Sequence, residues 1–306
     1  MQIRSALSNL TIKALSESLD VRTMIKLIDP LFPNYNVYQR TGLPETIPIQ
    51  KQDAAKQIVR DVISANLYLE FINRLILYHT DGYMGKRYPI NHLKQIIKEI
   101  QEFGLIYDQV NKIFVEDPVM RRTRNWGTLR EGEDYIFAFL RLDIVGNTKL
   151  VKQYPEHLIK QTYADLRAIV QNAIDKRNGR IWNWEGDGGM VAFYFSNKNF
   201  YATLSGMEII HDLFIYNQVK CPLDKPISAR LAIHGGSCMY TDNEEDIKKI
   251  DVIKKLIEIE SKYTRPNSLT ISNIIKTSLD TQLASHFKLV DGNNDNEYFN
   301  YQLRWE

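Results

Sequence analysis

The chain has 306 residues, 44% hydrophobic and 25% charged, which is enough for one large globular domain or two ordinary ones. Its 39 Lys and Arg against 37 Asp and Glu leave a net charge of +2, so no basic excess marks it for nucleic-acid binding. Two cysteines, Cys221 and Cys238, lack CxxC spacing, which argues against a disulfide scaffold or a cysteine-rich zinc site and fits a reducing compartment.

In chain order, Met1 to Ser5 leads into an amphipathic stretch and not a signal-peptide core. The proline-bearing stretch Pro30 to Pro48 reads as loop. Lys51 to Tyr78 carries Ile58, Val62, Ile63, Leu67, Phe71, Leu75 and Ile76 at a helical period, and Leu93 to Phe114 repeats the pattern with Gly104 as a break point. The most apolar window, Leu67 to Tyr78, contains Glu70 and Arg74 and is too short to span a bilayer. A soluble, cytoplasmic protein without membrane or nucleic-acid partners is expected. Arg121 to Gly127 is basic and aperiodic and reads as a solvated linker. The expected domains are a helical one over 1–128 and a second over 129–306.

From Tyr135 the texture changes. Tyr135 to Leu142 is an apolar, aromatic run that predicts a buried strand. A helix is predicted around Pro155 to Lys176, stopped by Asn178-Gly179. Arg180 to Trp184 and Met190 to Phe195 read as a β-hairpin, followed by a helix over Phe200 to Tyr216 and a strand over Ile227 to His234. A charged helix near Glu245 to Ser261, a strand at Leu269 to Ser272 and a terminal pair, Phe287 to Val290 and Tyr298 to Leu303, complete the order. Strand, helix, hairpin, helix, strand is a split βαβ, ferredoxin-like arrangement, so the fold class is α+β.

Two segments carry the chemistry. Leu142-Asp143-Ile144-Val145-Gly146-Asn147-Thr148 and Trp184-Glu185-Gly186-Asp187-Gly188-Gly189 each place an aspartate where an apolar strand gives way to a glycine turn. Either aspartate alone is an ordinary turn former. Together, on two strand ends beside glycine-freed amides, they are what a divalent metal holding a triphosphate requires. His234, mid-strand among apolar neighbours, reads as a packed or hydrogen-bonded core histidine. Glu185 stays unassigned, because strand alternation turns it across from Trp184.

With the aspartate turns set in that order, residues 135–306 resemble the class III nucleotidyl cyclase catalytic domain. The matching runs are Leu142 to Gly146, Gly186-Asp187-Gly188 with Ala192-Phe193, Arg230 to Gly236, and Pro266 to Ser272. The resemblance implies cyclisation of a nucleoside triphosphate to a 3′,5′-cyclic monophosphate and pyrophosphate, with two divalent cations (Mg²⁺ or Mn²⁺) per site. It makes Asp143 and Asp187 catalytic and metal-binding, with the Ile144 carbonyl as a further ligand. The amides of Val145, Gly146, Asn147 and Thr148 would cradle phosphates. It also implies a head-to-tail homodimer, with metals on one subunit facing base contacts of the other.

The sequence departs from the family elsewhere. Where purine-specific members carry a lysine or glutamate that reads the base edge, this chain has Asn183, whose amide both donates and accepts. The family's asparagine and arginine of the later helix are not recognisable in Asp251 to Glu258. Lys254, Lys255 or nearby Lys262 are the candidates to supply positive charge, as point charges and not forks. A frequent phosphate-binding arginine is replaced by Ser237. The hairpin Trp182 to Gly188 is similar to that of the pyrimidine cyclases of Pycsar antiphage systems, which implies CTP or UTP as substrate and cyclic CMP or cyclic UMP as product. An adenylate cyclase making cyclic AMP, and a silent nucleotide-binding domain, are the alternatives.

Overall fold

The computed structural model describes residues 3–117, 119, 123–293 and 296–303. The chain divides into two compact units, Met1–Thr128 and Leu129–Glu306.

The first unit is built from six helices: α1 (Ser5–Ser18), α2 (Val21–Ile28), α3 (Val37–Thr41), α4 (Lys51–Ser64), α5 (Tyr68–Thr80) and α6 (Leu93–Gln101). Their apolar stripes close on one another around Leu7, Leu15, Met24, Ile58, Phe71 and Ile96. Asp20 caps α2 by accepting from the Thr23 amide at 2.7 Å. Three sequence expectations are corrected here. The Lys51–Tyr78 period is not one helix, because Asn66 takes a left-handed backbone (φ 57°) between α4 and α5. The Leu93–Phe114 period is helical only to Gln101. Its second half is an antiparallel hairpin of β1 (Leu105–Asp108) and β2 (Ile113–Glu116). The Asp108 carboxylate folds that turn by accepting from the Val110 and Asn111 amides. Pro30–Pro48 is also not all loop, since it contains α3.

The expected linker is corrected as well. Arg121 and Arg122 lie outside the described residues, but Thr123 to Gly127 fold back onto β2. The Trp126 carbonyl accepts from the Glu116 amide, the Glu116 carboxylate accepts from the Thr123 amide, and the Trp126 side chain is buried.

The second unit is a seven-stranded sheet of β3 (Asp134–Ile144), β4 (Arg180–Glu185), β5 (Gly188–Phe193), β6 (Ala229–Met239), β7 (Ser268–Ser272), β8 (Lys288–Asn293) and β9 (Asn296–Gln302). The spatial order is β4-β5-β3-β6-β7-β9-β8, with β6 and β7 parallel and every other pair antiparallel. The helices are α7 (Asn147–Gln153), α8 (Glu156–Asp175), α9 (Lys198–Val219), α10 (Glu244–Lys249), α11 (Asp251–Glu258), α12 (Asn273–Lys276) and α13 (Thr281–Ser285). A π-helical turn, Ile259–Tyr263, follows α11, so the expected single charged helix is three pieces. The first four strands with α8 and α9 form the split βαβ arrangement, and the fold is mixed α+β. Among the described residues no helix is long and apolar enough to cross a membrane.

Strand alternation divides the residues of β3. Ala138, Leu140, Leu142 and Ile144 pack under α8 and α9 with Leu166, Val170, Ile209 and Leu213. Phe137, Phe139, Arg141 and Asp143 point to the opposite face, which α11 and the π-turn approach. Trp182 fills that face, 1% exposed, with edge contacts to Phe137, Phe139 and Tyr240.

Candidate active site

The register of the sheet brings the two aspartates together. Asp143 stands directly opposite Gly188 across the β3–β5 pair, and Asp187 is the residue before Gly188 in the turn. A Cβ on Gly188 would lie 2.3 Å from the Leu142 carbonyl oxygen and 3.1 Å from the Asp143 Cα, so only glycine lets the turn approach β3 this closely. Gly188→Ala is therefore expected to lower stability by about 2–3 kcal/mol, the upper range for overpacking, because backbone and not a pliable side chain must yield. A melting temperature equal to wild type would contradict that geometry.

Asp187 is half-buried. Burial pushes its carboxyl above the usual range, and the charge of Asp143 adds to the effect. Hydrogen bonds from its own amide and from Asn147 oppose the shift. Asn147 is in turn held by the Tyr163 hydroxyl, which donates to its Oδ1. Asp143 accepts from Arg230 Nη2 at 2.8 Å, with both side chains about one-quarter exposed (25% and 26%). Arg230 stands opposite Asp143 in the β3–β6 register. Its Nε lies 2.7 Å from Glu260 Oε1, an ion pair outside hydrogen-bond alignment, and Arg141 Nε donates to Glu260 Oε2 at 3.3 Å. Burial raises the Glu260 carboxyl, opposed chiefly by Arg230.

Other expected site residues fall as follows. Gly146 is left-handed (φ 71°) and opens α7, whose first residues are Asn147 and Thr148. The Val145 amide is corrected out of the phosphate cradle, because it donates to the Ser228 carbonyl at 2.8 Å. The Ile144 side chain is buried on the helix-covered face, which leaves its main chain for any ligand role. Asn183 donates to Glu185 Oε1 at 3.2 Å, and Lys248 of α10 reaches the same oxygen at 2.7 Å. Lys254 and Lys255 pair within α11 and its end, with Asp251 (2.9 Å) and Glu258 (3.0 Å). Lys255 also stands over the Tyr298 ring, and Glu258 binds Lys262. Among the described residues the ion-pair partners of Lys254 and Lys255 are these and not Asp143, which pairs with Arg230.

His234 bonds Ser272 Oγ at 2.8 Å, and burial, helped by nearby Lys255, lowers its pKa to about 4. A histidine neutral when folded but ordinary when unfolded makes the unfolded state bind more protons between these two values. Stability is then full above about pH 6.5 and falls on acidification by roughly 1.4 kcal/mol per unit toward pH 4. Urea titrations at pH 7 and pH 5 should show this slope in the wild type and lose it in His234→Gln.

No family model matches the chain, and no curated protein matches it. Solved structures do match. Over somewhat more than half of its length the chain is similar in fold to cyclase catalytic domains. One is the monomeric guanylyl cyclase domain of the RhoGC fusion protein from the aquatic fungus Blastocladiella emersonii, 13% identical with a TM-score of 0.45, covering 56% of this chain and 97% of that one. A second is the adenylate/guanylate cyclase/hydrolase from Silicibacter pomeroyi, 16% identical with a TM-score of 0.45, covering 56% and 99%. A third is the adenylyl cyclase CyaB from P. aeruginosa, 16% identical with a TM-score of 0.47, covering 57% and 98%.

The donor set suits a hard divalent cation. Among the described residues no group of three or more His, Cys, Asp or Glu side chains is gathered as a metal site. Two carboxylates and a main-chain carbonyl are nevertheless sufficient for Mg²⁺ or Mn²⁺, which complete their shells with water and substrate phosphate oxygens. The mutual repulsion of Asp143 and Asp187, felt in the raised Asp187 carboxyl, is what a cation between them would relieve.

Proposed function

We propose that the chain is a class III-type nucleotidyl cyclase that converts a nucleoside triphosphate to a 3′,5′-cyclic mononucleotide and pyrophosphate. The observation that carries this reading is the juxtaposition of Asp143 and Asp187 across the β3–β5 register, beside the left-handed Gly146 turn. Four matching sequence runs in family order support it.

Asp143, Asp187 and the Ile144 carbonyl would hold two divalent cations, which supply acidification of the attacking 3′-hydroxyl and charge neutralisation on the leaving pyrophosphate. Asn147, fixed by Tyr163, holds the Asp187 carboxylate in place. Gly146 brings no side chain to the turn, and the amides of Gly146, Asn147 and Thr148 would cradle the phosphates. A homodimer places α11 of one subunit, with Lys254 and Lys255, over the aspartates of the other, which accounts for their separation within a single chain.

The finer reading is a pyrimidine substrate, CTP or UTP, in antiphage signalling. Asn183 supports it, being a short amide at the base-reading position. Burial of Trp182 in the sheet removes that ring from any base-stacking role. Each of the four ribonucleoside triphosphates, supplied separately with Mn²⁺ or Mg²⁺ and followed by mass spectrometry of the product, tests both levels. Cyclic CMP or cyclic UMP is expected. Cyclic AMP alone would overturn the base assignment, and saturable binding without turnover would favour a silent nucleotide-binding domain.

A further inference from the structure

Glu260 is a carboxylate with 3% of its side chain exposed. A buried charge of this kind is costly unless partners compensate it, and both of its partners are arginines of the sheet. Glu260 follows Ile253 and Leu256 at helical spacing, and Ile259 beside it is buried as well. The chain changes there to a π-helical turn, which re-aims one side chain without ending the helix. Its result is an alternating chain of charge, Asp143–Arg230–Glu260–Arg141.

Arg230 is therefore shared between two carboxylates, one buried and one at the site. Any cation bound by Asp143 must compete with the Arg230 guanidinium 2.8 Å away. We propose that Glu260 is a positioning residue that sets the cation affinity of Asp143 by holding Arg230 back from it. With Glu260 charged, the guanidinium has a second partner and yields its claim on Asp143. Without that charge, Arg230 is left with Asp143 alone and blocks it. The inference rests on the reading of Asp143 as a metal ligand.

The test is Mn²⁺ binding without nucleotide, followed by electron paramagnetic resonance on the full chain, so that turnover plays no part. Glu260→Gln is expected to weaken binding roughly tenfold, the lower range for a residue acting behind a metal ligand. The effect should vanish in an Arg230→Gln background, because the proposed route runs through that guanidinium. Arg141→Gln, at a partly exposed residue that leaves the buried pair intact, should act in the opposite sense, since Glu260 is then free to hold Arg230 more firmly. This variant keeps the proposal testable if Glu260→Gln fails to fold.

A general field effect of the removed charges would persist with Arg230 absent, and that persistence would overturn the proposal. Unchanged affinity in folded Glu260→Gln, or in Arg141→Gln, would do the same. Mn²⁺ binding that survives Asp143→Ala would overturn the metal reading itself, and absence of binding in the wild type would overturn both. Binding lost in Asp143→Ala but insensitive to Glu260 would sink this inference alone.

Discussion

Asp143→Ala and Asp187→Ala are each expected to reduce cyclic nucleotide formation by about 10³-fold or more while leaving the melting temperature near wild type. The large effect follows from what the carboxylates face. Neither is needed to complete the core, since each is partly exposed at or beside a strand end, and on the proposed function each holds charge against a triphosphate. Their removal also relieves a repulsion between like charges, so the folded state has no reason to weaken. Asp143→Ala does leave Arg230 with one partner fewer, but Glu260 remains beside it. Asp143→Asn and Asp187→Asn keep the shape and remove the charge, and should fall as far. Single-turnover assays with product identified by mass would check this. A carboxylate variant that retained more than a tenth of wild-type turnover would end the catalytic assignment of that residue.

Trp182→Ala is expected to cost about 3–5 kcal/mol of stability, the range for emptying a large aromatic site in a core. In a unit of this size that corresponds to a fall of roughly 6–20 °C in melting temperature. The ring is enclosed by Phe137, Phe139 and Tyr240 in edge-on contacts, and partners held in this way do not collapse into the space left behind. The relative rates with the four triphosphates should be unchanged in the protein that remains folded. A shift in base preference with unaltered stability would show that the indole faces the nucleotide after all.

The parts of this molecule that its sequence reveals are those set by local pattern. Tyr135 to Leu142 is a strand because a short apolar and aromatic run, interrupted only by Arg141, suits a central strand, and β3 extends it by one residue to Asp134 and by two into Asp143 and Ile144. The Asp187 turn is legible because glycines on both sides leave few other conformations. Failures cluster where one periodicity admits two structures. Leu105 to Phe114 satisfies a helical spacing as well as a hairpin, and the left-handed Gly104 and the Asp108 turn decide between them. The ion chain behind Asp143 was invisible for another reason. Arg230 is 87 residues from Asp143, and Glu260 is 119 from Arg141, so the register of β3 and β6 introduces the first pair and the π-turn packed on the sheet introduces the second. One local signal did exist. Glu260 sits four residues beyond Leu256 and seven beyond Ile253, an acid on the oily stripe of its helix, which calls for a cationic partner.

β4 contains a β-bulge. Ile181 pairs with Val191, but Asn183, not Trp182, pairs with Met190, so the strand holds one residue more than its partner. That supernumerary residue acts as a phase shifter. It lets Trp182 sink into one side of the sheet while Trp184 lies on the other, near Arg167, and it delivers Asn183 to the side where Arg141 and Asp143 emerge. Deleting a single residue from this hairpin would invert that delivery and swing the amide beneath α8. The length of the segment is thus under a tighter constraint than the identity of most of its side chains.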